Sequence, residues 1–366
     1  MSAEDSPSPG PSPASAADEA SRPGAILARH RDSLGYTQGA YAAWLNGELG
    51  RRYDKQKISR WEVGAERIPL AVYDLITRPA PGSIARPKSM VTISVSNQKG
   101  GVGKTATAVN IAYHLANRGY RTLLIDADSQ SNATMHAGVT FEQQQSLEEA
   151  EATLYYTLVR KKPLAGSIAP TDFENLFIVA SHISLAAADH ELAATSVLKG
   201  PVDLRAALKT VRSEFDFAII DCAPSLNYVT MNALVAADYV LVPVQTEPHA
   251  LVGLHSLLGT IEQVASGPYN PGVQVLGILP TMFTRTNQNK TSLEELAERY
   301  GDFVFPPIPR ATLFPEAAGY GRPTLAIDPT GGARDTLGAV REVYARVADT
   351  LLAKLDLKET HHGAAH

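Results

Sequence analysis

Apolar residues follow two rhythms along this chain, and the change between them outlines its organisation. From residue 91 onward, short and nearly continuous apolar runs recur at 91–96, 121–126, 176–180, 215–221, 239–245 and 273–281. Helix-compatible stretches lie between most of them, for instance 104–118, 203–213 and 226–237. A strand covered on both faces loses the in–out alternation of a half-exposed sheet. The pattern therefore predicts an α/β unit, a doubly wound and mostly parallel sheet with helices on both sides. Near the end, Leu337, Val340, Tyr344, Val347 and Leu351 recur in steps of three and four, one face of a helix packed on that sheet. Glu342, Asp349 and Asp356 interrupt the bases of this segment, which argues against a basic membrane-binding helix.

Ahead of residue 78 the rhythm is helical throughout. A first helix is expected at 25–33, a second capped by Thr37-Gln38 and running through Tyr41, Trp44 and Leu45, and a third at 54–63. This gives a small all-α domain at 22–77. Residues 1–21 hold four acids and no base within a Ser/Pro/Ala run, the composition of a disordered tail. Closely spaced prolines at 79, 81 and 87 predict a linker at 78–90. The α/β domain then spans 91–356, and 357–366 is a flexible C-terminus.

Charge sharpens this division. Residues 22–90 carry twelve Lys/Arg against six acids, whereas 91–366 carry twenty-one against twenty-eight. A basic head on a mildly acidic body points to nucleic acid as a partner of the head. The single cysteine, Cys222, excludes an internal disulfide framework. No stretch approaches the roughly 18 apolar residues of a membrane span, and the start has no basic-then-apolar leader, so a cytoplasmic protein is expected.

The strongest chemical signal is Lys99-Gly100-Gly101-Val102-Gly103-Lys104-Thr105, between a predicted strand and a predicted helix. Glycines let successive N–H groups curl around a phosphate chain, and the helix start adds its positive end. Lys104 would reach the β- and γ-phosphates of a nucleotide and Thr105 would ligate Mg²⁺. The standard Walker A pattern has Gly where this chain has Gln98.

A lysine opening the loop resembles the deviant Walker A of the ParA/MinD family of P-loop ATPases. The resemblance extends over 91–355. Segment 126–134 is similar to the family's second motif, with Ser129 and Ser131 where Pro and Gly are usual. Segment 215–224 resembles its Walker B strand, and Pro243–Glu247 and Ile308-Pro309-Arg310 resemble segments of partition ATPases. The resemblance implies a weak Mg²⁺-dependent ATPase that forms an ATP sandwich dimer. In it Lys99 contacts the phosphates held by the other subunit, Asp128 orients the attacking water, and Asp126 and Asp221 join Thr105 beside the metal. Ala106 stands where relatives carry a second hydroxyl; losing one neutral hydrogen bond weakens binding by about 0.5–1.5 kcal/mol. Relatives with an iron–sulfur cluster across the dimer need at least two cysteines per chain and are excluded by Cys222 alone. Arg285 matches a position associated with non-specific DNA binding, and Lys290, Arg299 and Arg322 are nearby candidates in sequence.

Thr37-Gln38 and Ile58-Ser59-Arg60-Trp61-Glu62-x-Gly64 resemble the Cro/Xre helix-turn-helix family over 24–76. Ile58 and Trp61 would then face the core, and Lys55, Gln56, Lys57, Ser59 and Arg60 the major groove. The connection from Asn46 to Tyr53 is longer than the usual turn. Together the resemblances imply a nucleoid-associated DNA-segregation ATPase, stimulated by a ParB-like centromere-binding protein and autoregulating its operon through the head. The alternatives are a nucleotide-gated transcription regulator or a positioning ATPase for a non-DNA cargo.

Overall fold

Thr37 and Asp54 open helices through the chemistry of their side chains. The Thr37 hydroxyl accepts from the Ala40 N–H at 3.3 Å and the Asp54 carboxylate from the Lys57 N–H at 2.8 Å, each satisfying a donor the helix leaves orphaned. The computed structural model describes residues 23–66, 68–77, 84–195, 200–247, 250–329 and 332–357. The expected tail at 1–21, the 78–83 part of the expected linker and the C-terminal stretch from 358 lie outside the described residues. The chain divides into two compact units, the second of which begins at Ile84.

The first unit is all helical: α1 (Pro23–Ser33), α2 (Gln38–Leu49), α3 (Lys55–Glu62) and α4 (Leu70–Thr77). Its core gathers Leu27, Tyr41, Leu45, Ile58, Trp61, Val72 and Ile76, so Ile58 and Trp61 do face inward. Glu62 ties three helices together, accepting from Arg31 Nε at 2.6 Å and Gln38 Nε2 at 2.7 Å. The long connection expected after Asn46 is shorter than the sequence suggests. Gly47 remains helical, and α2 ends only at Gly50, whose φ of 61° is the left-handed stop that glycine supplies. Asn46 then spans the turn, its amide bonding both the N–H and the carbonyl of Tyr53.

At Gly24, α1 approaches the backbone at the end of α3. A β-carbon there would lie 2.5 Å from the carbonyl oxygens of both Trp61 and Glu62. Backbone atoms cannot move aside as a flexible side chain can, so Gly24→Ala is expected to destabilise this unit by about 1–3 kcal/mol. Both tryptophans of the chain, Trp44 and Trp61, belong to this unit. Tryptophan fluorescence of the full chain therefore reads the effect as an earlier unfolding transition.

The second unit is built on seven strands: β1 (Val91–Val95), β2 (Thr122–Ala127), β3 (Ile168–Pro170), β4 (Leu176–Val179), β5 (Phe217–Cys222), β6 (Tyr239–Gln245) and β7 (Gln274–Thr281). Their order is β3-β4-β2-β5-β1-β6-β7, all parallel except β3, which runs antiparallel to β4 at the edge. The six expected strands are present. β3 escaped the sequence because three residues, half-exposed and ending in proline, carry no periodicity; an edge tolerates that proline. Residues 84–90, expected in the linker, pack on this unit: Arg86 pairs with Asp216, and Ile84 lies against Gly119.

Helices cover both faces. Helix α5 (Lys104–Asn117) crosses β1, β2 and β5, and the C-terminal α15 (Ala333–Lys354) packs on α5 through the predicted stripe Leu337, Val340, Tyr344, Val347 and Leu351. The other face buries Leu123, Ile125, Ala218, Ile220 and Cys222 beneath later helices that include α11 (Tyr228–Ala236). The period of two therefore turns the alternating residues Asp126 and Asp221, which are direct partners in the β2–β5 register, toward the α5 face. Among the described residues, no helix is long and apolar enough to cross a membrane.

Candidate functional site

The loop between β1 and α5 is anchored before it turns. Pro243 stands in β6 just past the last β1–β6 pair, Val95↔Leu241, so its missing N–H costs no ladder bond. Its carbonyl accepts instead from Asn97 Nδ2 at 2.6 Å, and Asn97 Oδ1 accepts the Lys99 N–H at 3.0 Å. The chain then curls through Gly101 (φ 73°) and Gly103 (φ 82°), conformations that side chains with a β-carbon rarely adopt. Gly103 caps α5 without any side-chain acceptor, so the first-turn amides of Lys104, Thr105 and Ala106 are left for an external anion. Val102 is buried, and its carbonyl accepts from Thr281 Oγ1 at 2.9 Å, fixing the loop to the end of β7.

Lys104 is only 6% exposed, and its Nζ donates to the Lys99 carbonyl at 3.0 Å across the mouth of the loop. Burial lowers its pKa, and the negative potential of Asp221 opposes that shift most strongly. The two facing carboxylates differ sharply. Asp126 is hydrogen-bonded at both oxygens: Oδ1 accepts the Asp128 N–H at 3.1 Å, and Oδ2 accepts the N–H and hydroxyl of Thr134 at 2.8 and 2.7 Å. Burial still pushes it up to about 6, against the pull of those bonds.

Asp221 is equally buried, yet neither of its oxygens has a hydrogen-bond partner among the described residues. Burial first, and the Asp126 charge second, raise it well above the carboxylate range. Thr105 is close enough to ease that charge. A buried orphan carboxylate beside a threonine hydroxyl and an uncapped helix start is the oxygen donor set that Mg²⁺ takes together with substrate phosphates. Thr105 and Asp221 could hold such a metal through oxygens left free, while Asp126, whose Oδ1 accepts only one bond, also anchors the 126–134 segment. Among the described residues there is no all-protein cluster of three or more His, Cys, Asp or Glu able to hold a metal.

Asp128 is half-buried at the exit of β2, and its Oδ1 accepts the Gln130 N–H at 3.0 Å. Three residues on, Ser131 has a φ of 56°, the left-handed conformation for which glycine is better suited. Lys99 is exposed, and its Nζ pairs with Glu247 Oε2 at 2.8 Å just beyond β6. Sequence spacing carried no hint of this pair or of the Asn97–Pro243 and Thr281–Val102 bonds, because their partners are far along the chain.

The candidate nucleic-acid residues are exposed in different degrees. On α3, Lys55, Gln56 and Arg60 are exposed, whereas Lys57 and Ser59 are half-buried. Glu66 pairs with both Lys57 and Arg60. In the second unit, Arg285 and Lys290 are exposed and form no ion pair among the described residues. Lys290 lies in the first turn of α13 (Asn287–Tyr300). Arg299 instead lies at the far end of α13 over the Tyr300 ring, and Arg322 follows another helix, α14 (Leu313–Gly319). One base was overlooked: Arg310 donates its N–H to the Phe283 carbonyl at 2.9 Å, which sets its exposed segment beside the Arg285 loop. The Ile308-Pro309-Arg310 segment was the available clue.

Comparison with known proteins agrees with this geometry. The family model of an AAA domain matches residues 90–275. The chain is 40% identical over 256 residues to the sporulation initiation inhibitor protein Soj of Bacillus subtilis, covering 69% of this chain and 98% of that one. It is 37% identical over 262 residues to the chromosome partitioning protein ParA of Caulobacter vibrioides, covering 70% and 95%. Among solved structures, cobyrinic acid a,c-diamide synthase from Mycobacterium smegmatis with bound ATP analogue and magnesium superposes with a TM-score of 0.55 at 33% identity, over 63% of this chain and 91% of that one.

Proposed function

The chain belongs to the ParA/Soj family of partition ATPases, and from that premise we propose that it is an ATP-driven switch for DNA segregation. The observation that best supports this reading is the conjunction of an uncapped α5 start, a buried Lys104 held at its mouth, and a partnerless Asp221 beside Thr105. Lys104 exchanges its bond to the Lys99 carbonyl for the β- and γ-phosphate oxygens of ATP, while the amides of residues 100–106 line the phosphate chain. Mg²⁺, held through Thr105 and Asp221, would neutralise phosphate charge. Asp128 orients the water that attacks the γ-phosphate, its own carboxylate steadied by the Gln130 N–H. Lys99 leaves Glu247 and reaches the nucleotide of a second subunit, so that ATP closes a sandwich dimer.

In that dimer Arg285, Lys290 and Arg310 bind DNA through its phosphates, without regard to sequence. A ParB-like centromere-binding protein stimulates hydrolysis and releases the ATPase from the nucleoid. The first unit acts as a helix-turn-helix head: Lys55, Gln56 and Arg60 meet operator bases or phosphates, Ser59 contributes its hydroxyl, and Lys57 is released from Glu66 on contact. Through it the protein represses its own operon.

The test is binding of a random-sequence duplex by the full chain with Mg²⁺ and a non-hydrolysable ATP analogue, across a salt series. Nucleotide-dependent retention is expected, with affinity falling steeply as salt rises. Arg285→Ala removes one contact per subunit, two per dimer, and should flatten the log–log salt slope by about 1.8, at ~0.9 per phosphate contact. Binding that ignores nucleotide and requires one operator sequence would support a transcription regulator instead.

A further inference from the structure

Two hydrogen-bonded connections lead from the phosphate loop to the loop that carries Arg285. In the first, Thr281 Oγ1 donates to the Val102 carbonyl at 2.9 Å, and Thr281 is the last residue of β7, four positions before Arg285. The second starts at the Lys99–Glu247 pair. Thr246, next to Glu247 and fully buried, donates through Oγ1 to Asn289 Oδ1 at 2.7 Å. The Nδ2 of Asn289 then donates to the hydroxyls of Thr284 at 2.6 Å and Thr286 at 2.8 Å, the residues flanking Arg285. The Thr246 N–H also donates to the Thr281 carbonyl at 3.3 Å, which joins the two connections.

We infer that Asn289 is a positioning residue that couples the state of the phosphate loop to the placement of Arg285, an inference that rests on the nucleotide and DNA roles proposed above. The amide of Asn289 is planar, and it holds Thr246 at one end and both flanking threonines at the other. When Lys99 leaves Glu247, the chain end at 246–247 loses its ionic tether. The Thr246 hydroxyl is sealed from water, so leaving it unpaired is costly, and its bond to Asn289 follows any shift of that strand end. A displacement at Thr246 is thereby delivered to both sides of Arg285. Coupling of this kind is reciprocal: if nucleotide tightens DNA binding by some factor, DNA tightens nucleotide binding by the same factor.

The experiment measures the dissociation constant of a non-hydrolysable ATP analogue with Mg²⁺ on the full chain, with and without a random-sequence duplex. Wild type should show a ratio within the roughly 5–150-fold range of coupled sites. Asn289→Ala leaves the Thr281–Val102 bond in place and should lower the ratio several-fold toward one, with nucleotide affinity without DNA within about twofold of wild type. Thr246→Val cuts the same bond from its other end with little change of shape, and decides the matter should Asn289→Ala not fold. The double variant should lose no more coupling than Asn289→Ala alone, because the one bond that Thr246→Val removes is among those Asn289→Ala already removes. A folded Thr246→Val or Asn289→Ala protein that keeps the wild-type ratio, or a double variant with additive losses, overturns the inference. A ratio of one in wild type would instead defeat the DNA-switch reading itself, and this coupling with it.

Discussion

Lys104→Ala is expected to lower ATP turnover by roughly 10²–10³-fold or more, the range for removing one preorganised donor from a developing phosphate charge. The side chain is nearly sealed from water, and its hydrogen-bond partner among the described residues is the Lys99 carbonyl at 3.0 Å. Burial depresses its pKa, so the ammonium is held at some cost to the fold. Removing it should leave the nucleotide-free melting temperature close to that of wild type. The two proteins should part when Mg²⁺ and ATP analogue are added. Wild type gains stability as RT ln(1 + [L]/Kd), and the variant gains little. Phosphate release and thermal melts with and without nucleotide check both halves. A variant that hydrolysed ATP at the wild-type rate would place the phosphates elsewhere.

How much of this site the sequence discloses depends on how local each interaction is. The loop was legible because its glycines are needed within a few residues of one another: Gly101 and Gly103 take the positive φ values that the spacing demands. The strand ends were legible because buried parallel strands announce themselves as apolar runs, and Asp126 and Asp221 fall at the ends of two of them. The difference between those two acids was not. It arises because Thr134 folds back onto Asp126, while no residue does the same for Asp221 among the described residues. Asn97 bonds to Pro243 and Lys99 to Glu247 across nearly half of the chain, and neither partner is marked by periodicity. The head shows the same limit. Its caps and core were readable, but whether Lys57 and Arg60 are free depended on Glu66, whose approach is set by the turn after α3.

Asp221→Asn should move stability and activity in opposite directions. In the nucleotide-free protein this carboxylate is buried at the centre of the sheet, without a hydrogen bond among the described residues and facing Asp126. Its pKa is raised well above the ordinary 3.8, first by burial and then by the Asp126 charge. A group that holds its proton more tightly when folded favours the native state at low pH, and that advantage disappears as pH rises from near 3.8 toward the folded value. Asparagine does not ionise, so the variant should match wild type below about pH 4 and become progressively more stable as pH rises. Relief of a buried unpaired group is worth about 1–3 kcal/mol, or several degrees in melting temperature for a domain of this size. The same change removes the anionic oxygen that suits a hard dication, so Mg²⁺-dependent ATP turnover should fall by at least about 10²-fold. Melting curves of the nucleotide-free protein between about pH 4 and 8, set beside phosphate-release rates, test the pair of effects. A variant less stable than wild type at neutral pH would mean that the fold itself satisfies Asp221; the assignment of this carboxylate to a metal-bound phosphate site would then lose its physical basis.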